Sequence, residues 1–378
     1  MTGMLVLLLI MLRTTGLTAS CTCSSRCHCQ NMGLSSVPRD LPTYITHLHL
    51  ENNFITTLSP SDFSRYSILY YLFLTSNQIS VINSRAFYNL NRLKWLKIDY
   101  NQLTSLREDM FVGLVNLERL WLANNNIHSI EAGAFNATPQ LRKLTLPYNS
   151  ISSIAAGAFV NLSRLELLVL YFNQITSLRV GMFAGLYNLP SLSLQYNNIN
   201  SIDAGTFNTL QLRNLSILYL SNNNIGTFAE GAFVNLPHLN TLHLQYNSME
   251  TLPAIAYDIL ANISTVDITN NPWQCDCRML PFKLRMTGSY SFESQITCAG
   301  PSHLQGKNIL WDINPDDLIC EETTTGIYST PSTSSPVDHK NFFMLKLLLI
   351  HDVMLGNKSS VKSTLCAQRR VRTKIHAE

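Results

Sequence analysis

Cysteine and histidine are the residue types through which this chain could do chemistry, and their spacing narrows what that chemistry is. Eight of its nine cysteines fall in two clusters, Cys21/Cys23/Cys27/Cys29 and Cys275/Cys277/Cys298/Cys320, separated by 245 residues with none. C-x-C spacing suits a tetrahedral metal as well as disulfides. The compartment decides between them: Met4 to Leu12 is an apolar run followed by Thr18-Ala19-Ser20, which fits a secretory signal over residues 1–20 and is too short to span a bilayer. Behind such a signal the eight cysteines are expected as disulfides, with no metal. His47 and His49 share one face of a short strand, where histidines are more often bystanders than ligands. The chain has no H-E-x-x-H, G-x-S-x-G or G-x-G-x-x-G, and the nearest phosphate-loop match, Gly300 to Lys307, has five residues between its glycines and Asn308 where Ser or Thr is needed. No catalysis and no cofactor are expected. A net charge of +3 is too near balance for a nucleic-acid binder, which must neutralise many phosphates.

Cysteines confined to two ends read as caps, and what they cap is a repeat. The phrase L-x-x-L-x-L-x-x-N-x-I runs from Leu69 to Ile79, Leu93 to Leu103, Leu117 to Ile127, Leu141 to Ile151, Leu165 to Ile175, Leu189 to Ile199, Leu215 to Ile225 and Leu239 to Met249. Looser copies at Ile45 to Ile55 and Ile263 to Trp273 make ten. The asparagines from Asn53 to Asn197 are 24 apart, Asn223 follows after 26, and Asn247 and Asn271 after 24 each; the two extra residues fall in the Asn208 to Asn214 connection. Ten residues after most of them stands a phenylalanine, from Phe63 to Phe233, with Tyr257 in the ninth slot. Side chains alternate faces along a strand, so the leucines of L-x-L point to one side. Only stacking neighbours can bury that side, as in a solenoid. The asparagine marks an internal turn, where its amide can donate to and accept from unpaired backbone groups.

Over residues 21–320 the chain resembles the extracellular leucine-rich-repeat family with cysteine-rich amino and carboxyl caps, including the jawless-vertebrate variable lymphocyte receptors, the Nogo receptor and the Slit repeat modules. The resemblance implies an α/β-type repeat solenoid, a horseshoe with a parallel concave β-sheet and disulfide caps. Its parts are an amino cap over 21–44, about ten repeats over 45–270 and a carboxyl cap over 271–320. The carboxyl cap is carried by Asn271-Pro-Trp-Gln-Cys275-Asp-Cys277. There the resemblance implies the pairs Cys275–Cys298 and Cys277–Cys320, while sequence alone permits three pairings. In the amino cap, Cys23-x3-Cys27-x-Cys29 matches the family, but the loop before its fourth cysteine is missing and Cys21 is an extra partner. No pairing is carried over there.

Residues 321–340 are rich in Thr, Ser and Pro and resemble an O-glycosylated stalk. Residues 341–378 hold a short apolar run, Phe342 to Leu355, interrupted by Lys346, His351 and Asp352, and then a basic tail. The run is too short and too broken for a bilayer span, and it is not terminal as a lipid-anchor signal requires. This favours a secreted product over a tethered one, and leaves Cys366 as an unpaired surplus.

Function in such a scaffold belongs to the variable strand positions. Across ten repeats these number 50 and hold twelve aromatics, where the chain-wide 9% would place four or five. Trp95, Tyr100, Trp121, Tyr148, Tyr171, Phe172, Tyr196, Tyr219 and Tyr246 are the candidate ligand-binding residues; Tyr70, Tyr71 and Phe73 complete the set. The site before each asparagine reads Tyr100, Asn124, Tyr148, Phe172, Tyr196, Asn222, Tyr246, and strands about 4.8 Å apart would stack these into a ladder centred on repeats three to seven. Tyr and Trp dominate binding surfaces because they offer large area at low entropic cost. The opposing view is that the aromatics only shield strand edges. Lys94, Lys97, Arg119, Arg142 and Lys143, interrupted by Asp99 and Glu118, read as a solvated face. Sequons at Asn136, Asn161, Asn214 and Asn262 lie on connections outside these positions, with a fifth at Asn357. The expectation is an extracellular or cell-surface recognition protein that binds a protein ligand through its concave face. The alternative is an extracellular-matrix scaffold resembling leucine-rich proteoglycans.

Overall fold

A computed structural model describes residues 20–207, 212–229, 231–233 and 236–320 of the chain. The signal segment up to residue 19, the stalk, the apolar run, the basic tail, Cys366 and Asn357 lie outside the described residues. Each repeat contributes one three-residue strand centred on the second leucine of its phrase, from His47–His49 and Tyr71–Phe73 to Thr265–Asp267. These strands are joined in chain order into one parallel sheet. Register is set residue for residue by the repeat: Leu48 lies opposite Leu72, Leu96 opposite Leu120, and Leu218 opposite Leu242. The amino cap extends the same sheet, with Arg26–His28 parallel to His47–His49 and Thr22–Cys23 folded back antiparallel, so that twelve strands are continuous.

The two leucines of each L-x-L are wholly buried, and with the first leucine and the isoleucine after the asparagine they form one core along the stack. The back of each turn is mostly turns and two-residue strands such as Ser105–Leu106, Ser129–Ile130 and Ser153–Ile154. The described α-helices are short, Pro60–Phe63 in the first repeat and Ala254–Ala261 and Leu280–Lys283 near the carboxyl cap. The phenylalanines stack as a spine on this side, with ring centroids 5.7–5.9 Å apart for Phe111–Phe135, Phe135–Phe159, Phe183–Phe207 and Phe207–Phe233. Strand spacing is about 4.8 Å. A wider repeat on the phenylalanine side than on the strand side bends the stack and makes the sheet its concave face. Gly113 and Gly185 serve this packing at positive φ, since a Cβ at either would come within 2.5 Å of the carbonyl oxygen of Phe87 or Phe159 in the preceding repeat.

The asparagines tie neighbours together. The Asn149 Nδ2 donates to the carbonyls of Leu146 and Pro147 in its own turn and of Leu122 in the turn before, while its Oδ1 accepts from the Ile127 N–H. The same rung recurs from Asn53 to Asn271, and all ten asparagines are buried. Both ends are closed. At the carboxyl end Trp273, Phe282 and Phe292 cover the last core layer, and the buried Glu293 carboxylate accepts from the Tyr257 hydroxyl and the Thr287 and Tyr290 N–H groups. Cys275–Cys298 and Cys277–Cys320 are bonded as the resemblance implied. At the amino end the pairs are Cys21–Cys29 and Cys23–Cys27, the latter joining the two strands of the hairpin.

Candidate functional site

Strand alternation turns every central leucine into the core and the residues on either side of it out onto the concave face, where they are half-buried against their neighbours. From the amino cap through the fourth full repeat the outward pairs are Arg26/His28, His47/His49, Tyr71/Phe73, Trp95/Lys97, Arg119/Trp121 and Lys143/Thr145. The next three strands present Leu167/Val169, Ser191/Ser193 and Ile217/Tyr219, without a charge. One sheet thus carries two different surfaces.

The first surface is a packed mosaic of rings and cations. His28 stacks on His49 at 5.0 Å and His49 on Phe73 at 4.5 Å. His47 meets Tyr71 at 4.5 Å, Tyr71 meets Trp95 edge-on at 4.8 Å, and Trp95 meets Trp121 at 5.9 Å. The Arg119 guanidinium lies 4.6 Å from the Trp95 ring centroid and the Lys97 ammonium 5.0 Å from that of Trp121. Ring faces attract cations in this range. Lys94 is paired with Glu118, and Arg142 with Glu166. Among the described residues Lys97, Arg119 and Lys143 have no acidic partner. Burial, then the positive charges of Arg26 and His49, hold the His47 pKa below its usual value. The Asp99 Oδ1 accepts from the Ala123 N–H; burial raises its pKa, opposed by that hydrogen bond and by the nearby Lys97 charge. A shallow depression at the amino-terminal end is lined by Gln30, Asn31, Glu51, Asn52, Phe73, Thr75 and Lys97.

The row before the asparagines lies elsewhere. Tyr100, Asn124, Tyr148, Phe172, Tyr196, Asn222 and Tyr246 all have φ between 52° and 56°, the left-handed conformation of a turn. The strand has ended before them, so these side chains rise from the rim of the sheet. Three of them stack: Tyr148 on Phe172 at 4.8 Å and Phe172 on Tyr196 at 4.3 Å, planes within 10°. Tyr171 meets Tyr148 and Phe172 edge-on. Asn124 and Asn222 interrupt the row, leaving Tyr100 and Tyr246 outside the stack. Tyr219 stands on the strand and stacks on His243 at 5.1 Å. The nine candidate residues therefore divide into Trp95, Trp121 and Tyr219 on the strands and Tyr100, Tyr148, Tyr171, Phe172, Tyr196 and Tyr246 along the rim.

Sequence reasoning missed His28, set His49 aside as a bystander and took Lys97 and Arg119 for a solvated face; the fold places all four among the rings. The signal was present in the column five places into each phrase, His49-Phe73-Lys97-Trp121. His28 joins that column only because the amino cap adds a strand to the sheet, which its irregular cysteine spacing did not announce. The four sequon asparagines Asn136, Asn161, Asn214 and Asn262 are exposed and none is in a strand of the concave sheet; the Asn161 Nδ2 donates to the Asn136 Oδ1 at 3.3 Å. Asp276, Cys277 and Cys320 lie close together, but the two sulfurs are joined and offer no thiolate to a metal. No helix among the described residues is long and apolar enough to cross a membrane.

Comparison with curated proteins finds no match. Among solved structures, a chain of the octameric complex of Latrophilin 3 (Lec, Olf), Unc5D (Ig, Ig2, TSP1) and FLRT2 (LRR) is similar with a TM-score of 0.60 and 25% identity, over 80% of this chain and 99% of that one. Human 5T4 (Wnt-activated inhibitory factor 1, trophoblast glycoprotein) is similar with a TM-score of 0.50 and 28% identity, over 81% of this chain and 100% of that one. The leucine rich repeat family model matches residues 43–103, 67–127, 94–151, 115–175, 163–216 and 213–272, which together span the stacked turns. On this match, the stacked strands and the asparagine rungs, the chain belongs to the leucine-rich-repeat family.

Proposed function

We propose that this protein is an extracellular, non-catalytic recognition protein, secreted or held at the cell surface, that binds a protein ligand through its concave sheet and the rim beside it. The observation that carries this reading is the concentration of aromatic side chains on one continuous parallel sheet and its edge, away from a core that leucine already fills. Tyr100, Tyr148, Phe172, Tyr196 and Tyr246 are exposed by 39–57%. Exposed rings of this kind mark interaction surfaces more than structural need. Ten repeats spaced about 4.8 Å apart give a face of roughly 43 Å, long enough for a standard interface of about 800 Å² per partner. The disulfide caps and the sequons away from the sheet support an exported, glycosylated chain whose inner face stays bare. The similar FLRT2 structure was solved together with Latrophilin 3 and Unc5D, which supports protein recognition by this architecture.

The test is a triple variant, Trp121→Ala, Tyr148→Ala and Tyr196→Ala, in the full chain, compared with the unaltered chain in affinity for extracellular proteins that the latter captures. Binding is expected to be lost while circular dichroism and melting show an intact fold. Unchanged affinity of the folded variant overturns the reading.

A further inference from the structure

Among the described residues the outward Lys and Arg side chains of the amino-terminal half of the sheet form no ion pair, and two of them are held in place by rings. Arg119 lies over Trp95 and Lys97 over Trp121, on adjacent strands in which Trp95 faces Arg119 and Lys97 faces Trp121 across the sheet. The two cations are thus diagonal neighbours between two indoles. A guanidinium stacked on an indole keeps its N–H edge free for a carboxylate, and the ring limits the freedom the side chain would lose on binding. No strand from Arg26 to Thr145 presents an acid outward. The nearby acids have partners of their own: the Glu51 Oε1 accepts from His49, Asp99 accepts from the Ala123 N–H with the Lys97 charge nearby, and Glu118 and Glu166 are paired to Lys94 and Arg142.

We propose that this half of the concave sheet binds an acidic segment of the protein ligand, its carboxylates held by Arg119 and Lys97 and its apolar parts against Trp95 and Trp121. The proposal rests on the concave-face reading above and specifies its partner. Arg26 and Lys143 bound the surface, and the five strand gaps between them span about 24 Å, the length of roughly seven extended residues. Interleaved aromatics favour a protein segment with mixed acidic and aromatic side chains over a uniformly charged polyanion.

The probe is a peptide alternating Glu and Tyr, with a counterpart carrying Gln for every Glu, titrated against the full chain by fluorescence anisotropy. The Glu peptide is expected to bind at least about tenfold more tightly, with the advantage vanishing as salt shortens the Debye length from about 10 Å to 3 Å. Lys97→Gln with Arg119→Gln should remove that preference, and Ile217→Gln in the neutral half should leave it in place, with melting of each variant confirming the fold. Equal binding of the two peptides, a preference that survives the double charge variant, or binding of a heparin oligosaccharide with no binding of the Glu peptide overturns the proposal. A captured protein ligand separates the two readings. Loss with the Trp121, Tyr148 and Tyr196 triple variant but not with the charge variant sinks only the acidic partner, whereas indifference to both sinks the concave-face reading itself.

Discussion

The amino-terminal half of the concave sheet, Arg26 to Thr145, and the half that follows, Leu167 to Tyr219, share a backbone, a register and an inward row of leucines, yet present unrelated outward surfaces. In the first, rings and cations touch from strand to strand; in the second, small and aliphatic residues precede Tyr219, and the three-ring stack of Tyr148, Phe172 and Tyr196 lies on the rim. The interior therefore specifies the fold without specifying the surface. The chain varies one at no cost to the other because successive side chains on a strand face opposite ways.

That independence can be broken most forcefully from inside. Leu120→Ala and Leu192→Ala truncate equivalent, wholly buried leucines in the two halves, and each is expected to cost about 2–5 kcal/mol in denaturant unfolding. Costs differing by more than about 1 kcal/mol would show that the surfaces do reach into the core. Next come the rungs: Asn101→Ala and Asn197→Ala orphan the Ile79 and Ile175 N–H groups and take one of two donors from each of three carbonyls, and a loss of about 1–3 kcal/mol is expected at both positions. Outward changes should separate the halves. Trp95→Ala removes contacts to Tyr71, Trp121 and Arg119 and should lower stability by about 1–2 kcal/mol, whereas Ser193→Ala should stay within about 0.5 kcal/mol. Equal effects would mean the mosaic is not mutually supporting. The smallest effect is on pH. The folded-state pKa of His47 lies below its ordinary 6.5, so protonation favours the unfolded chain. Its contribution is present above that value and is lost as the pH falls through the folded pKa. His47→Gln should flatten the acid side of the melting-temperature profile slightly, and a steeper profile would reverse the sign assigned here.

The fold was almost fully legible because its signal repeats: leucine spacing dictated the strands, and asparagine spacing dictated the register. The carboxyl-cap disulfides followed from resemblance. What could not be read is where the strand stops. Tyr148 and Tyr219 both stand at variable positions of the same phrase, but the left-handed turn that each asparagine imposes puts Tyr148 on the rim and leaves Tyr219 on the sheet. The row before the asparagines, which read as one ladder, is a stack of three because Asn124 and Asn222 interrupt it. Lys97 and Arg119 read as solvated charges because their indole partners lie 24 residues away, a relation visible only once strands are laid side by side.

The rung at Asn223 closes a repeat two residues longer than its neighbours, yet its Oδ1 accepts from the Ile199 N–H at 3.0 Å and its Nδ2 donates to the Leu194 carbonyl at 3.0 Å, as in the turns of ordinary length. The stack is metered at the asparagines, whose rungs keep their geometry with two extra residues between them. An epitope tag or protease site grafted into a back-side connection should therefore remain a private matter of its own turn, shifting no residue of the sheet. This gives the protein a set of permissive insertion points on the side facing away from the concave sheet.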